Sequence, residues 1–202
     1  METPRSNKRA QLVEAAGNLV HRRGFNRTTL ADIAEESGIR LGNVYYYFKT
    51  KAAIGEAIVE QRASDYRALL GIWEKLPAPQ DRLEAFIQFT CESRAILARS
   101  GCPIGTLCMD LRKDEESATK VAAKNAARLF AEILTWLETQ FRALGHGEKS
   151  QQLAQHLVAG LQGASILALV FGRRELVVEE AERLREWLSG LTPSRRKEAR
   201  TR

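Results

Sequence analysis

Apolar residues return along this chain at steps of three and four, a period that predicts helices and leaves no alternating strand of useful length. Leu12, Ala15, Ala16, Leu19 and Val20 form one face of a helix over residues 6–23; Gly24 ends it and Phe25 drops back toward the core. Thr28 and Thr29 then offer hydroxyl caps to a short helix carrying Leu30, Ile33 and Ala34, which Gly38 stops. A third helix places Leu41, Val44 and Phe48 on one side. Two short helices around a glycine turn are the pattern of a helix-turn-helix. A fourth helix begins near Lys51 and runs past Ala57, Ile58, Tyr66, Leu69 and Trp73 until Pro77 and Pro79 forbid continuation.

Further on, Leu83, Phe86, Ile87, Thr90 and Leu97 predict one helix over 81–98, broken by Gly101-Cys-Pro103. A short helix follows over 104–112. A long one over 115–144 carries Ala126, Phe130, Ile133, Leu137, Phe141 and Leu144, with Leu129 and Trp136 as a second stripe. The segment 150–172 is apolar over most of its circumference, and 178–191 puts Ala181, Leu184, Trp187 and Leu188 on one face. The expected fold is therefore all-α, with about nine helices and no internal repeat. Residues 1–50 form the helix-turn-helix head and 51–191 a helical body, the fourth helix bridging the two. A tail over 192–202 is expected to be disordered.

Charge sharpens this picture. The 202 residues carry a net +6, concentrated at the two ends: residues 1–51 hold nine Lys/Arg against five Asp/Glu, and 192–202 hold five against one. Basic ends around a near-neutral body suit a nucleic-acid partner, although a solvated surface would carry the same modest excess. No unbroken apolar run reaches the roughly 18–20 residues of a membrane span. The start METPRSNKRAQ lacks the apolar core of a secretory signal. Cys91, Cys102 and Cys108 are an odd set without zinc spacing, so reduced thiols in a cytoplasm are expected, with no membrane partner.

The chemistry-bearing residues gather in the third helix. Tyr45-Tyr-Tyr47 spreads over some 200° of one turn, so at least one ring faces solvent, beside Lys49 and Lys51. Asn43, Tyr46 and Tyr47 point away from the core stripe. Donors and cations on a short rigid helix suit a DNA major groove. Cys102, between Gly101 and Pro103, is placed to cap the helix after it, with Cys108 one to two turns on. The pair reads either as a sensor thiol and its neighbour or as small buried hydrophobes. His21, His146 and His156 lie far apart with no ligand partner at metal spacing, so no metal or cofactor is expected. His21 is expected on the exposed side of its helix. No nucleophile–base pair or phosphate loop supports an enzyme. Phe86, Phe89, Leu107, Leu111, Phe130, Leu134, Leu137 and Phe141 would line a pocket for an apolar or aromatic effector, or simply fill a core. Gly160, Ala164 and Ala168 recur at four-residue steps and would let another helix approach closely.

The order from Arg9 to Ile58 — helix, Thr-Thr, short helix, Gly, a hydrophobe, Gly, Tyr, Phe, Lys-x-Lys, long helix — resembles the TetR family of one-component bacterial regulators. The resemblance implies that Arg40, Leu41, Gly42 and Asn43 face the groove. It also implies that Tyr45, Tyr46 and Lys51 touch the DNA backbone, with Thr28 and Thr29 at the cap before. Two residues depart from the pattern: Arg40 stands where a small residue is usual, and Tyr47 where His is common. The family also implies a homodimer through the last two helices, here Gly160, Ala164, Leu167, Ala168 and Phe171 with Leu184, Trp187 and Leu188. The function expected is a ligand-released repressor on a palindromic double-stranded operator. A thiol-based redox or electrophile sensor is the near alternative, and a helical protein–protein adaptor the distant one.

Overall fold

The computed structural model describes residues 4–114 and 117–191; the tail at 192–202 lies outside them. Ten helices and no strand are found among the described residues. They are α1 (Pro4–Arg23), α2 (Leu30–Ser37), α3 (Leu41–Tyr47), α4 (Lys51–Trp73), α5 (Pro79–Glu92), α6 (Arg94–Ser100), α7 (Pro103–Lys113), α8 (Lys120–Ala143), α9 (Ser150–Phe171) and α10 (Glu175–Leu191). Single 3₁₀ turns, Ser117–Thr119 and Gly147–Lys149, precede α8 and α9.

The all-α reading holds, with one helix more than expected. The helix predicted over 81–98 is two, because the chain turns at Ser93. There the serine hydroxyl and its backbone N–H both donate to the Phe89 carbonyl, at 2.9 and 3.1 Å, and α5 ends. Pro79, expected to be only a stop, is the first residue of α5, where a missing N–H costs nothing.

The chain divides into two compact units. One takes residues up to Leu70 together with Arg99–Ile133; the other takes Gly71–Ala98 and the residues from Leu134 on. The first is therefore larger than a 1–50 head, since most of α4, all of α7 and the first half of α8 group with the helix-turn-helix. Its core joins Leu12, Leu19, Phe25, Ile33, Val44 and Ile54 to Leu107 and Leu111 of α7 and Ala122 and Ala126 of α8. Phe25 is 1% exposed. A Cβ on Gly55 would come within 2.9 Å of its ring, so the glycine is what lets α4 pass over it. On the surface of this unit Arg67 holds Glu132 through two hydrogen bonds, 2.9 and 3.0 Å, joining α4 to α8.

In the second unit α10 packs along both α9 and α5. Leu83, Ile87, Leu137, Phe141, Leu157, Leu161, Ala181 and Leu188 are buried there. Trp73 gathers Phe86, Phe89 and Trp136 around it, with ring centroids 6.0, 5.6 and 5.9 Å away. Gly147–Phe171 is long and apolar enough by length and composition to cross a membrane, which the sequence reading did not expect of any segment. One face of α9 is covered by α10.

His21 is half-buried rather than exposed, its Nε2 lying 2.9 Å from the Gly101 carbonyl. Since a carbonyl only accepts, Nε2 carries the proton. Burial, with Arg62 and Arg99 nearby, holds this imidazole below its ordinary value, against the pull of the Gly101 bond. A lowered value means the unfolded chain binds the proton first. Stability contributed by neutral His21 should thus be complete above pH ~7 and decline as pH falls through about 6.5. Urea melts between about pH 5.5 and 7.5 should show His21→Gln, which keeps a donor, with a shallower loss than the parent. Equal losses in both would remove His21 from the account.

Candidate nucleic-acid interface

Two helix ends and one turn set the geometry of this region. At the start of α2, Thr29 Oγ1 accepts from the Asp32 N–H at 3.1 Å while the Asp32 carboxylate accepts from the Thr29 N–H at 2.8 Å, a reciprocal capping box. The Thr29 hydroxyl, then the Thr29 backbone N–H, hold the Asp32 carboxyl below its usual range. Gly38 ends α2 with φ 66°, a left-handed conformation natural to glycine. The Gln11 side-chain amide on α1 donates to the Ser37 carbonyl at 2.9 Å, fixing that end. α3 is then seated by Val44 and Phe48, both buried.

What α3 leaves outside is Leu41, Gly42, Asn43, Tyr45 and Tyr46; the two tyrosines are 48% and 56% exposed. Leu41 was expected both in the core stripe and at the groove-facing start; it is exposed, so it belongs to the outer face. Tyr47 is half-buried and meets Tyr46 edge-on at 5.1 Å, which narrows the positions the Tyr46 ring can take. A seven-residue helix is roughly 10 Å long, a fit for a major groove about 12 Å wide. Arg40 caps α3 with its backbone alone, its side chain exposed. Arg40, Arg27 and Lys49 make no ion pair with another described residue. Arg22–Glu36 and Arg23–Asp32 are surface pairs of small worth.

Two residues of the expected set behave differently. Thr28 is 1% exposed and its hydroxyl donates to the Gly24 carbonyl at 2.9 Å, so it builds the turn and has no surface to offer DNA. Lys51 is partly buried: its Nζ lies 4.7 Å from the centroid of the Phe25 ring and donates to the Asn26 carbonyl at 3.0 Å. The ammonium is therefore positioned, and it keeps donors for a phosphate.

The remaining expected sites are scattered. Leu107 and Leu111 sit in the first unit's core, packed with α1 and α4, because the stripe on α7 faces the head. Phe130 is half-buried in that same unit, while Phe86, Phe89, Leu134, Leu137 and Phe141 belong to the other. Cys102 does cap α7, its Sγ accepting from the Gly105 N–H at 3.4 Å. Burial, then the charge of Cys102, pushes the Cys108 thiol up to about 11, so Cys108 stays protonated at neutral pH. Burial, then the charge of Cys102, pushes the Tyr66 phenol far up, against the charge of Arg62. Cys91 is half-buried in α5. Among the described residues no three His, Cys, Asp or Glu gather as a metal site would require.

Gly160, Ala164 and Ala168 turn inward. A Cβ on Gly160 would meet Glu180 Oε1 at 2.7 Å and Leu184 at 3.3 Å, so the small residues serve packing of α10 on α9 within the chain. Leu184 and Leu188 are buried and Trp187 half-buried; His156 is exposed, its ring 4.7 Å from that of Trp187. The open face of α9 is large and apolar instead: Ile166, Leu167, Leu169, Val170 and Phe171.

Sequence reasoning missed Asp110. It stands on α7 between Leu107 and Leu111, and a carboxylate on so apolar a face demands a donor. Its Oδ2 accepts the Phe25 N–H at 2.7 Å.

A capped, glycine-terminated helix pair with an exposed second helix of donors and aromatics defines a helix-turn-helix DNA-binding protein. Residues 12–58 match the model of the bacterial regulatory proteins of the tetR family. That segment belongs to the TetR family of transcriptional regulators. The chain is 46% identical over 52 residues to the HTH-type transcriptional regulator TtgR of Pseudomonas putida, a stretch that is 26% of this chain and only a quarter (25%) of that relative's length. Over 173 residues, 80% of this chain and 84% of the relative, it is 28% identical to the HTH-type transcriptional repressor NemR of Escherichia coli. A TetR transcriptional regulator from Legionella pneumophila shares the fold at a TM-score of 0.79 and 18% identity, over 95% of this chain and 98% of that one.

Proposed function

We propose that this protein is a homodimeric, effector-released repressor that binds a near-palindromic DNA operator and catalyses no reaction. The observation that carries the DNA reading is the outer face of α3. Gly42 is exposed, and a Cβ there would meet nothing of the protein within 4 Å. The fold itself does not need a glycine at that position; a duplex pressed against the helix would. Arg40 and Asn43 read base edges, Arg by its two-donor fork on guanine and Asn on adenine. Leu41 offers an apolar contact, and Thr29, Tyr45, Tyr46 and Lys51 hold the backbone. Arg40 and Asn43 each contribute about 1–3 kcal/mol of discrimination between bases.

Anisotropy titrations against the DNA upstream of its own gene, with random duplex beside it, separate these roles. Tyr46→Ala and Lys51→Ala should weaken both DNAs by similar factors, and Lys51→Ala should lower the salt slope by about one. Arg40→Ala and Asn43→Ala should narrow the gap between operator and random DNA. Unchanged affinity, slope and selectivity in all four variants would sink the assignment.

Pairing follows from the same reading, since one short helix reads too few bases for specificity and a two-fold joins two half-sites. The dimer forms through the open apolar face of α9, where Val170 and Phe171 are 67% and 64% exposed. The inward Gly160–Ala164–Ala168 row does not meet the partner. Val170→Glu should give folded monomers that bind operator weakly, read by sedimentation and circular dichroism. A folded variant that still sediments as a dimer places the interface elsewhere.

The effector is a small apolar or electrophilic molecule, and the Trp73, Phe86, Phe89, Trp136 cluster supplies the aromatic environment for it. A thiol trigger is the second reading, supported by the Cys102 cap at the start of α7. With Cys108 held neutral, Cys102 is the one of the two placed to be modified first. N-ethylmaleimide at neutral pH should label Cys102 ahead of Cys108, with operator release following that label. Labelling of Cys102 no faster than a free cysteine, or Cys102→Ser being released by the reagent like the parent, leaves a noncovalent effector.

A further inference from the structure

Several backbone groups of the turn between α1 and α2 are hydrogen-bonded, and one of their partners comes from outside the helix-turn-helix. Gly24 N–H closes α1 on the Val20 carbonyl at 2.8 Å. The Gly24 carbonyl accepts the Thr28 hydroxyl, and the Phe25 carbonyl accepts the Thr28 N–H at 3.1 Å. The Asn26 carbonyl accepts Lys51 Nζ. The Phe25 N–H donates to Asp110 Oδ2 on α7 at 2.7 Å, the short distance of a charge-assisted bond. Room for the carboxylate exists because residue 24 is glycine: a Cβ there would lie 3.1 Å from Oδ2, and its φ of +87° already disfavours any side chain.

We propose that Asp110 is the positioning residue through which α7 sets the DNA-reading head. This rests on the DNA reading above and adds to it a residue distant in sequence from the helix-turn-helix. A shift of Asp110 carries the Phe25 backbone with it. Phe25 in turn fixes two groups that face DNA in that reading: Lys51, which sits over its ring and holds the next carbonyl, and the start of α2 just beyond Thr28. His21 secures the same helix at its other end through the Gly101 carbonyl, so α7 is tied to α1 at the residue before its cap and to the turn after α1 at its third turn. Leu107 and Leu111, on the same face, make the apolar part of the seat.

The test uses the full chain and two substitutions. Asp110→Ala leaves the Phe25 N–H without an acceptor; Asp110→Asn restores a neutral oxygen of the same reach. Amide exchange at Phe25 in the absence of DNA should accelerate about tenfold or more in Asp110→Ala and be largely rescued in Asp110→Asn. Operator affinity, measured at temperatures where circular dichroism shows both proteins folded, should fall about tenfold in the first and recover in the second. Lys51→Ala serves as the contrast, losing DNA while Phe25 exchange changes much less. If Asp110→Ala leaves Phe25 protected, or exposes it while operator affinity stays within about twofold, the proposal is wrong. Should Asp110→Ala not fold, Asp110→Asn alone decides: parent-like exchange and affinity sustain the proposal, and loss of affinity with Phe25 still protected overturns it. A parent protein that binds no duplex specifically would instead defeat the DNA reading, while the exchange arm still decides whether Asp110 holds the turn.

Discussion

Everything in the first unit is arranged around one buried aromatic ring. Phe25 emerges from a glycine turn, loses its contact with water almost completely, and is met by α4 at Gly55 and by α7 at Leu111. Burying such a ring stabilises by roughly 1.5–3 kcal/mol, but only if the backbone that carries it is also satisfied. The neighbouring groups do that work: Thr28 for two bonds, Lys51 for one, Asp110 for one. A loop that would otherwise be a soft connection becomes a node where α1, α2, α4 and α7 converge. The outward aim of α3 depends on that node, because α2 starts from it.

The helix-turn-helix was legible because its signals are local. Thr29, Gly38, Val44 and Phe48 each declare a cap, a stop or an inward face within a few residues of chain, and the structure uses each that way. Helix ends were less legible than caps and turns. Nothing in the periodicity of 81–98 distinguishes an unbroken helix from one interrupted at Ser93.

Sites that depend on which helix lies opposite were hardest to read. Leu107 and Leu111 form an apolar stripe whether they face an effector or the head, and periodicity carries no label for the neighbour. The small residues of α9 misled for a related reason. Gly160 permits close approach, but α10 of the same chain takes the space first, and the larger side chains are left on the open side. Thr28 and His21 show the complementary error. Each is a polar residue expected outside, and each is drawn inward by a single backbone carbonyl, Gly24 for one and Gly101 for the other.

The distribution of aromatic rings makes the two units optically distinct. All three tryptophans, Trp73, Trp136 and Trp187, fall in the second unit, whereas the four tyrosines, Tyr45, Tyr46, Tyr47 and Tyr66, fall in the first. Indole emission therefore reports on the second unit's packing and is silent about the head. Phenol emission comes from the first unit, where Tyr45 and Tyr46 stand on the outer face of α3. One unlabelled sample thus contains two separate reporters.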